Sequence, residues 1–311
     1  MFNFLANIFG YVLNFVYGLV NNYGLAIIIF TILLRVILLP MNLKQQKTMK
    51  KSAKLQVKMK ELQDKYSNDP TRLNEEVKNL YVSEHMNPLS GCLSSILQII
   101  IIISIFYLVS NPLTYMRRLN EYYVEKEANV EDVQEMKIDE KTEEGENKQS
   151  LIEYYIEQIN KDENKELGNY REISVIKYFG NDSKINIDMN FLGLNLSDVP
   201  SKDYQNPTVF IIPVLYIVTS IISMRLSTPK KKKKQVTEEA NKEDEKLVKV
   251  NNHEEEDAME SMSKTMRYMM PIMTVSIAII APLGLALYWL INNIFMIGER
   301  LLINKLVKSE E

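Results

Sequence analysis

Long apolar runs alternate along this chain with stretches dense in Lys and Glu. A helix needs about 20 mostly apolar residues to cross a bilayer. Residues 23–41 form the first such run, 88–109 the second and 207–226 the third. A fourth would extend from Met266 to Ile297, too long for one crossing. "APLG" at Ala281–Gly284 divides it, because proline and glycine interrupt helices. The pattern therefore predicts two short spans there, 265–281 and 282–298. Residues 1–22 differ: they are aromatic-rich and broken by Asn and Gly, which predicts a helix lying in the interface. The alternative for 1–22 is an additional span.

Between the first two spans, residues 42–87 have the periodicity of a helical hairpin. Leu55, Met59, Leu62 and Tyr66 share one helix face, and Leu73, Val77 and Leu80 form a second stripe. Asp69 and Pro70 have the chemistry of an N-cap and first turn. Residues 110–206 form a long acidic loop. Its 125–149 stretch reads as solvated, "SLIEYYIEQI" as an amphipathic helix and "KINIDMNFL" as an alternating strand. Its carboxylates are scattered among other charges, which predicts simple solvation. Residues 227–264 are a Lys-rich connection and 299–311 a short tail.

Charge adds an orientation. Residues 42–87 hold ten Lys and Arg against six Asp and Glu, whereas 110–206 hold twelve against 21. Arg225 and Lys230–Lys234 follow the third span, and Arg300, Lys305 and Lys308 follow the fifth. Five spans put every basic segment on one side, which the positive-inside rule makes the cytosol. The amino terminus then lies outside and the carboxyl terminus inside.

Little here suggests catalysis. There is no phosphate-binding G-x-x-x-x-G-K-[ST] and no H-E-x-x-H. One cysteine and two histidines supply no metal site. No catalytic residue, metal or cofactor is expected. The polar residues inside the spans are few, and so informative. Arg35 is the first charged residue of the chain, and a cation in hydrocarbon costs about 3 kcal/mol. Thr31 lies one turn before it. Gln98 sits within the second span, and Trp289 and Asn293 lie four apart in the fifth. No Asp or Glu falls inside the five spans so bounded, so Arg35 has no acidic partner in prospect. If these faces converge they line a hydrated groove. For Gln98 and Asn293 the other reading is interhelical hydrogen bonding, and for Trp289 packing. Lys47, Lys50, Lys51, Lys54 and Lys58 make the hairpin basic. They suit anionic lipid, or an acidic partner such as ribosomal RNA or a targeting factor.

Four stretches carry a resemblance: "YGLAIIIFTILLRVILLPMNLKQQKTMKK", "NPLSGCLSSILQ", "FLGLNLSDVP" and "MRYMMPIMTVSIAIIAPLGLALYWLINNIFMI". In order and spacing they resemble the YidC family of membrane protein insertases, with the five-span core of Gram-positive members. The resemblance implies an all-α polytopic membrane protein. Its five transmembrane helices would form a hydrophilic groove open to cytosol and lipid, with an N-terminal interfacial helix and a cytosolic helical hairpin. It implies that Arg35 is the groove arginine, that Thr31 and Trp289 meet the inserting segment, and that no cofactor is needed. Implied partners are nascent membrane proteins, the ribosome, the Sec translocon and the signal recognition particle pathway. The outer loop is longer than this resemblance explains, and the tail is short for strong ribosome binding. Other readings of the spans are a small transporter or channel, and a scaffold for assembling membrane complexes.

Overall fold

The computed structural model describes residues 2–67, 69–84, 88–125, 148–227 and 276–308. Helices dominate: α1 (Phe2–Val20), α2 (Tyr23–Lys65), α3 (Pro70–Ser83), α4 (Pro88–Ser110), α5 (Pro112–Tyr115), α6 (Leu151–Lys161), α7 (Arg171–Phe179), α8 (Ile211–Ser227) and α9 (Leu283–Lys308). Residues 276–280 are also helical. Three helical stretches are long and apolar enough to cross a membrane: Phe2–Val20, Tyr23–Gln45 and Pro207–Leu226. The architecture is that of an all-α polytopic membrane protein. The remainder of the expected 265–281 span, and the Lys-rich 228–264 stretch, lie outside the described residues.

The first span and the hairpin are one helix. α2 runs 43 residues without a break, although it contains Pro40. Proline removes one backbone donor, so this helix carries a gap in its hydrogen-bond ladder at that point. Asp69 caps α3 as expected, accepting from the Arg72 amide, with Pro70 in the first turn. Leu55 is buried, and Met59, Leu62, Tyr66, Leu73, Val77 and Leu80 are all partly buried. Lys58 is ion-paired with Glu84 across the hairpin. The Tyr81 hydroxyl lies 3.5 Å from Met59 Sδ.

Residues 112–125 and 148–210 fold into a layer at the opposite end of the bundle. Two short ladders, Tyr123–Glu125 with Lys148–Ser150 and Asn190–Phe191 with Leu194–Asn195, are antiparallel. "SLIEYYIEQI" is indeed helical: it is α6, and Leu151, Tyr154, Tyr155 and Ile159 fill the layer's core. The alternation of "KINIDMNFL" is also present, with Ile185, Ile187 and Met189 buried. Only its end is a strand, because the segment lies across helix ends rather than beside a partner strand. The acidic 126–147 stretch lies outside the described residues.

That crossing segment ties the bundle together. The first N–H groups of a helix have no partner within it. Here the Tyr23 amide donates to the Asp188 carbonyl (2.9 Å), the Leu283 amide to Asp198 (2.9 Å) and the Gly284 amide to Leu196 (2.9 Å). One stretch thus caps the starts of both α2 and α9. Asn22 contributes as well: its Oδ1 accepts from the Leu25 amide (3.0 Å) and its Nδ2 donates to the Asn190 carbonyl (2.6 Å). Leu192 and Gly193 make the tight turn, at φ 50° and 81°. Both residues of a two-residue hairpin turn of this kind need positive φ, which favours glycine at one of them.

α1 packs mainly against α4 and α2, and it also reaches α5 of the layer. Its buried face is Ala6, Gly10, Leu13, Val16 and Tyr17. Tyr115 donates to Asn3 Oδ1 (3.2 Å), Arg118 donates to the Tyr11 hydroxyl, and the Asp188 amide donates to the Tyr17 hydroxyl (2.9 Å). Gly10 passes so close to α5 that a Cβ there would stand 1.9 Å from the Tyr115 carbonyl oxygen.

Candidate functional site

Arg35 is not alone. It is 7% exposed, and its Nε donates to Asn292 Oδ1 at 2.9 Å. Nη2 donates to the same oxygen and to the Asn292 carbonyl (3.2 Å). Nη1 faces Glu299 Oε2 at 3.4 Å, and Asn42 Nδ2 faces Glu299 Oε1 at 3.4 Å. This corrects the expectation that Arg35 has no acidic partner. The helix that begins at Leu283 continues past residue 298 to Lys308, which carries Glu299 into the bundle.

The seam has a simple basis in spacing. Arg35 and Asn42 are seven apart on α2, and Asn292 and Glu299 are seven apart on α9. Seven residues are close to two helical turns, so each pair lies on one face. α2 and α9 both start in the capping layer and run parallel. The faces therefore meet as two rungs, Arg35 on Asn292 and Asn42 on Glu299, with the ion pair on the diagonal.

The next residues of α9, Asn293 and Arg300, face α8 instead. Asn293 Nδ2 donates to Ser220 Oγ (2.6 Å), and Arg300 Nη1 donates to the Ser223 carbonyl and Oγ. Trp289 stacks near Tyr216, with ring centroids 5.8 Å apart. Thr31 is fully buried and returns its hydroxyl to the Ile27 carbonyl of its own helix (2.7 Å). Gln98 Oε1 is buried with no hydrogen-bond partner among the described residues. Arg35, Thr31, Gln98, Trp289 and Asn293 are thus not joined to one another by hydrogen bonds among the described residues. Arg35 is partnered by Asn292 and Glu299 and Asn293 by Ser220, while Asn42 holds Glu299. The seven-residue spacing of 292 and 299 was the available signal. Of the hairpin lysines, Lys51 is exposed and Lys58 is engaged with Glu84. The side chains of Lys47, Lys50 and Lys54 lie outside the described set.

Two carboxylates of the capping layer depart from simple solvation: Asp182, which is buried and accepts from the Tyr155 hydroxyl, and Glu172. Glu172 is 5% exposed and accepts from the Leu113 amide (2.7 Å), the Thr114 amide (3.0 Å) and the Thr114 hydroxyl (2.5 Å). It caps α5 from across the layer, where Asn111 supplies no side-chain cap. Burial raises its pKa to about 7, against the opposing pull of these hydrogen bonds and of Arg171. A raised folded-state value means the layer is most stable below about pH 4.5, the ordinary range. Stability is then lost as pH rises through about 7, by on the order of 3 kcal/mol. Hydrogen-exchange protection factors in α6 and α7, corrected for the base-catalysed intrinsic rate, should fall as pH rises through about 7, and Glu172→Gln should flatten that fall.

A layered cap, apolar helices of membrane-crossing length and a buried ionic seam between α2 and α9 define a polytopic helical membrane protein. Residues 15–310 match the family model described as 60Kd inner membrane protein, and the chain belongs to that family. Its relatives include proteins named membrane protein insertase YidC. That of Fusobacterium nucleatum is 41% identical over 106 residues, 34% of this chain and 52% of the relative. That of Caldanaerobacter subterraneus is 41% identical over 102 residues, 33% and 50%. That of Syntrophus aciditrophicus is 49% identical over 87 residues, 28% and 16%. The chain spans about half, or less, of the length of the relatives it matches.

Proposed function

We propose that this chain is a membrane protein insertase. It moves apolar segments of nascent proteins into the bilayer past Arg35, through a hydrophilic groove open to cytosol and lipid. The observation that carries this reading is a guanidinium held within the spans by Asn292 and Glu299, at a seam between the first and last of them. Such a charge shortens the path of polar cargo through hydrocarbon and attracts its acidic residues. The unpartnered Gln98 Oε1 fits a bundle that admits water, since buried polar atoms take ordered water where protein supplies no partner.

In this reading the capping layer is extracellular and closes the groove on that side, while α2's distal end, α3 and the carboxyl terminus are cytosolic. α1 lies along the outer interface, as its polar contacts with the layer favour. The basic hairpin meets ribosome, targeting factor or anionic lipid, and cooperation with the Sec translocon belongs to the same reading. The buried Arg35–Glu299 pair also favours a second reading, a coupled transporter, because intramembrane ion pairs serve proton and ion pathways. A transporter needs a pathway through the capping layer.

The test is made in cells depleted of the native protein. Insertion of a short single-span substrate is measured per amount of insertase. Arg35→Ala is expected to lose insertion. Arg35→Lys is expected to retain part of it, since the charge survives but the fork to Asn292 does not. Equal insertion by Arg35→Ala would favour a scaffold or a transporter.

A further inference from the structure

We propose that Glu299 is a built-in counter-ion, which an acidic side chain of the cargo displaces from Arg35, and that it thereby sets how strongly the site favours acidic cargo. The inference rests on the insertase reading. Its basis is the unequal grip on the two partners of the seam. Charge-assisted N–H···O contacts are normally about 2.7–2.9 Å. Arg35 reaches Asn292 Oδ1 at 2.9 Å, but its contact with Glu299 is 3.4 Å. Among the described residues the other carboxylate oxygen is hydrogen-bonded only by Asn42, also at 3.4 Å. Glu299 is therefore 7% exposed yet loosely bound on both oxygens. Asn292 fixes the guanidinium, and Glu299 fills the remaining donor edge.

Position supports exchange. Glu299 lies seven residues beyond Asn292, toward the end of the bundle away from the capping layer. Its side chain can therefore withdraw from Arg35 toward the end from which cargo enters, while Asn292 keeps the guanidinium in place. A cargo carboxylate then takes the vacated Nη1. A neutral side chain gains nothing from that edge and leaves Glu299 seated.

The experiment compares two versions of one single-span cargo, with two Asp or two Asn in the translocated segment. The acidic-to-neutral insertion ratio is measured for each form of the full chain, so the amount of folded protein cancels. Glu299→Gln is expected to raise the ratio by about threefold or more, the scale of a loose ion pair. Glu299→Asp should stay near wild type. Asn42→Ala, which frees the other carboxylate oxygen, should shift the ratio in the same direction as Glu299→Gln. An unchanged or lowered ratio in Glu299→Gln or Asn42→Ala overturns the proposal. Arg35→Ala run in parallel separates the two ideas. If it inserts both cargoes like wild type, the insertase reading fails. If it inserts neither while Glu299→Gln leaves the ratio unchanged, only the counter-ion role fails.

Discussion

Arg35→Met should deplete the protein from the membrane, and Arg35→Met combined with Glu299→Met should restore its amount without restoring insertion. The single change strands a carboxylate that is 7% exposed, with Asn42 as its remaining hydrogen-bond partner among the described residues and Arg300 as a nearby charge. Removing one member of a buried ion pair costs about 3–5 kcal/mol, because the remaining charge has lost its compensation. Replacing both members with apolar side chains of similar volume is often neutral or stabilising. Immunoblot of membrane fractions and thermal unfolding in detergent give the stability comparison, and the single-span substrate gives activity. An Arg35→Met protein as abundant and heat-resistant as wild type would show that the seam carries no such energy. The double change matters for a further reason: it separates the guanidinium's structural work from its work on cargo, which the alanine variant alone confounds.

The second large effect concerns α1. Gly10→Ala places a methyl 1.9 Å from the Tyr115 carbonyl oxygen, where backbone meets backbone and no side chain can yield. Overpacking of this kind costs about 1–3 kcal/mol and sometimes more. Gly18 is in the same helix, and a methyl added there would meet nothing within 4 Å, so Gly18→Ala should gain up to about 1 kcal/mol of helix propensity. The two substitutions are chemically identical and should have opposite signs. Protease sensitivity of the α1–α2 connection and the unfolding temperature would check them. Equal behaviour would mean that α1 is not seated on α5.

Much of this architecture is written in residue spacing. The stripe of Leu55, Met59, Leu62 and Tyr66 announces a hairpin, and Asp69–Pro70 announces where its second helix starts. What spacing does not reveal is how far a helix continues beyond its apolar stretch. Hydropathy closes the fifth span at residue 298, just before Glu299, because that residue and Arg300 are charged. Both are nonetheless buried or half-buried, since tertiary partners on α2 and α8 replace the water they lose. Glu172 illustrates the same limit. It sits four residues before Ile176, on the apolar side of α7, which was a readable sign. That it caps α5 depends on a contact 58 residues away in the chain. The polar residues of the spans were individually conspicuous, but their pairing was hidden. Asn293 serves α8 while its neighbour Asn292 serves Arg35, and one step along a helix turns a side chain by about 100°.

Pro40 lies between the two rungs of the seam, after Arg35 and before Asn42. The rod that begins under the cap is therefore softest between its guanidinium and its amide. Force on the distal arm would concentrate as bending at this joint. Such bending would move Asn42, which lies beyond Pro40, relative to Arg35, which lies before it. With a lever of about 35 Å from Pro40 to Lys65, at 1.5 Å per residue, a tilt of some 5° moves the arm's tip by about 3 Å. A load arriving there is thereby geared down into a small shift beside the carboxylate, which couples mechanical contact at the arm to electrostatics in the bundle.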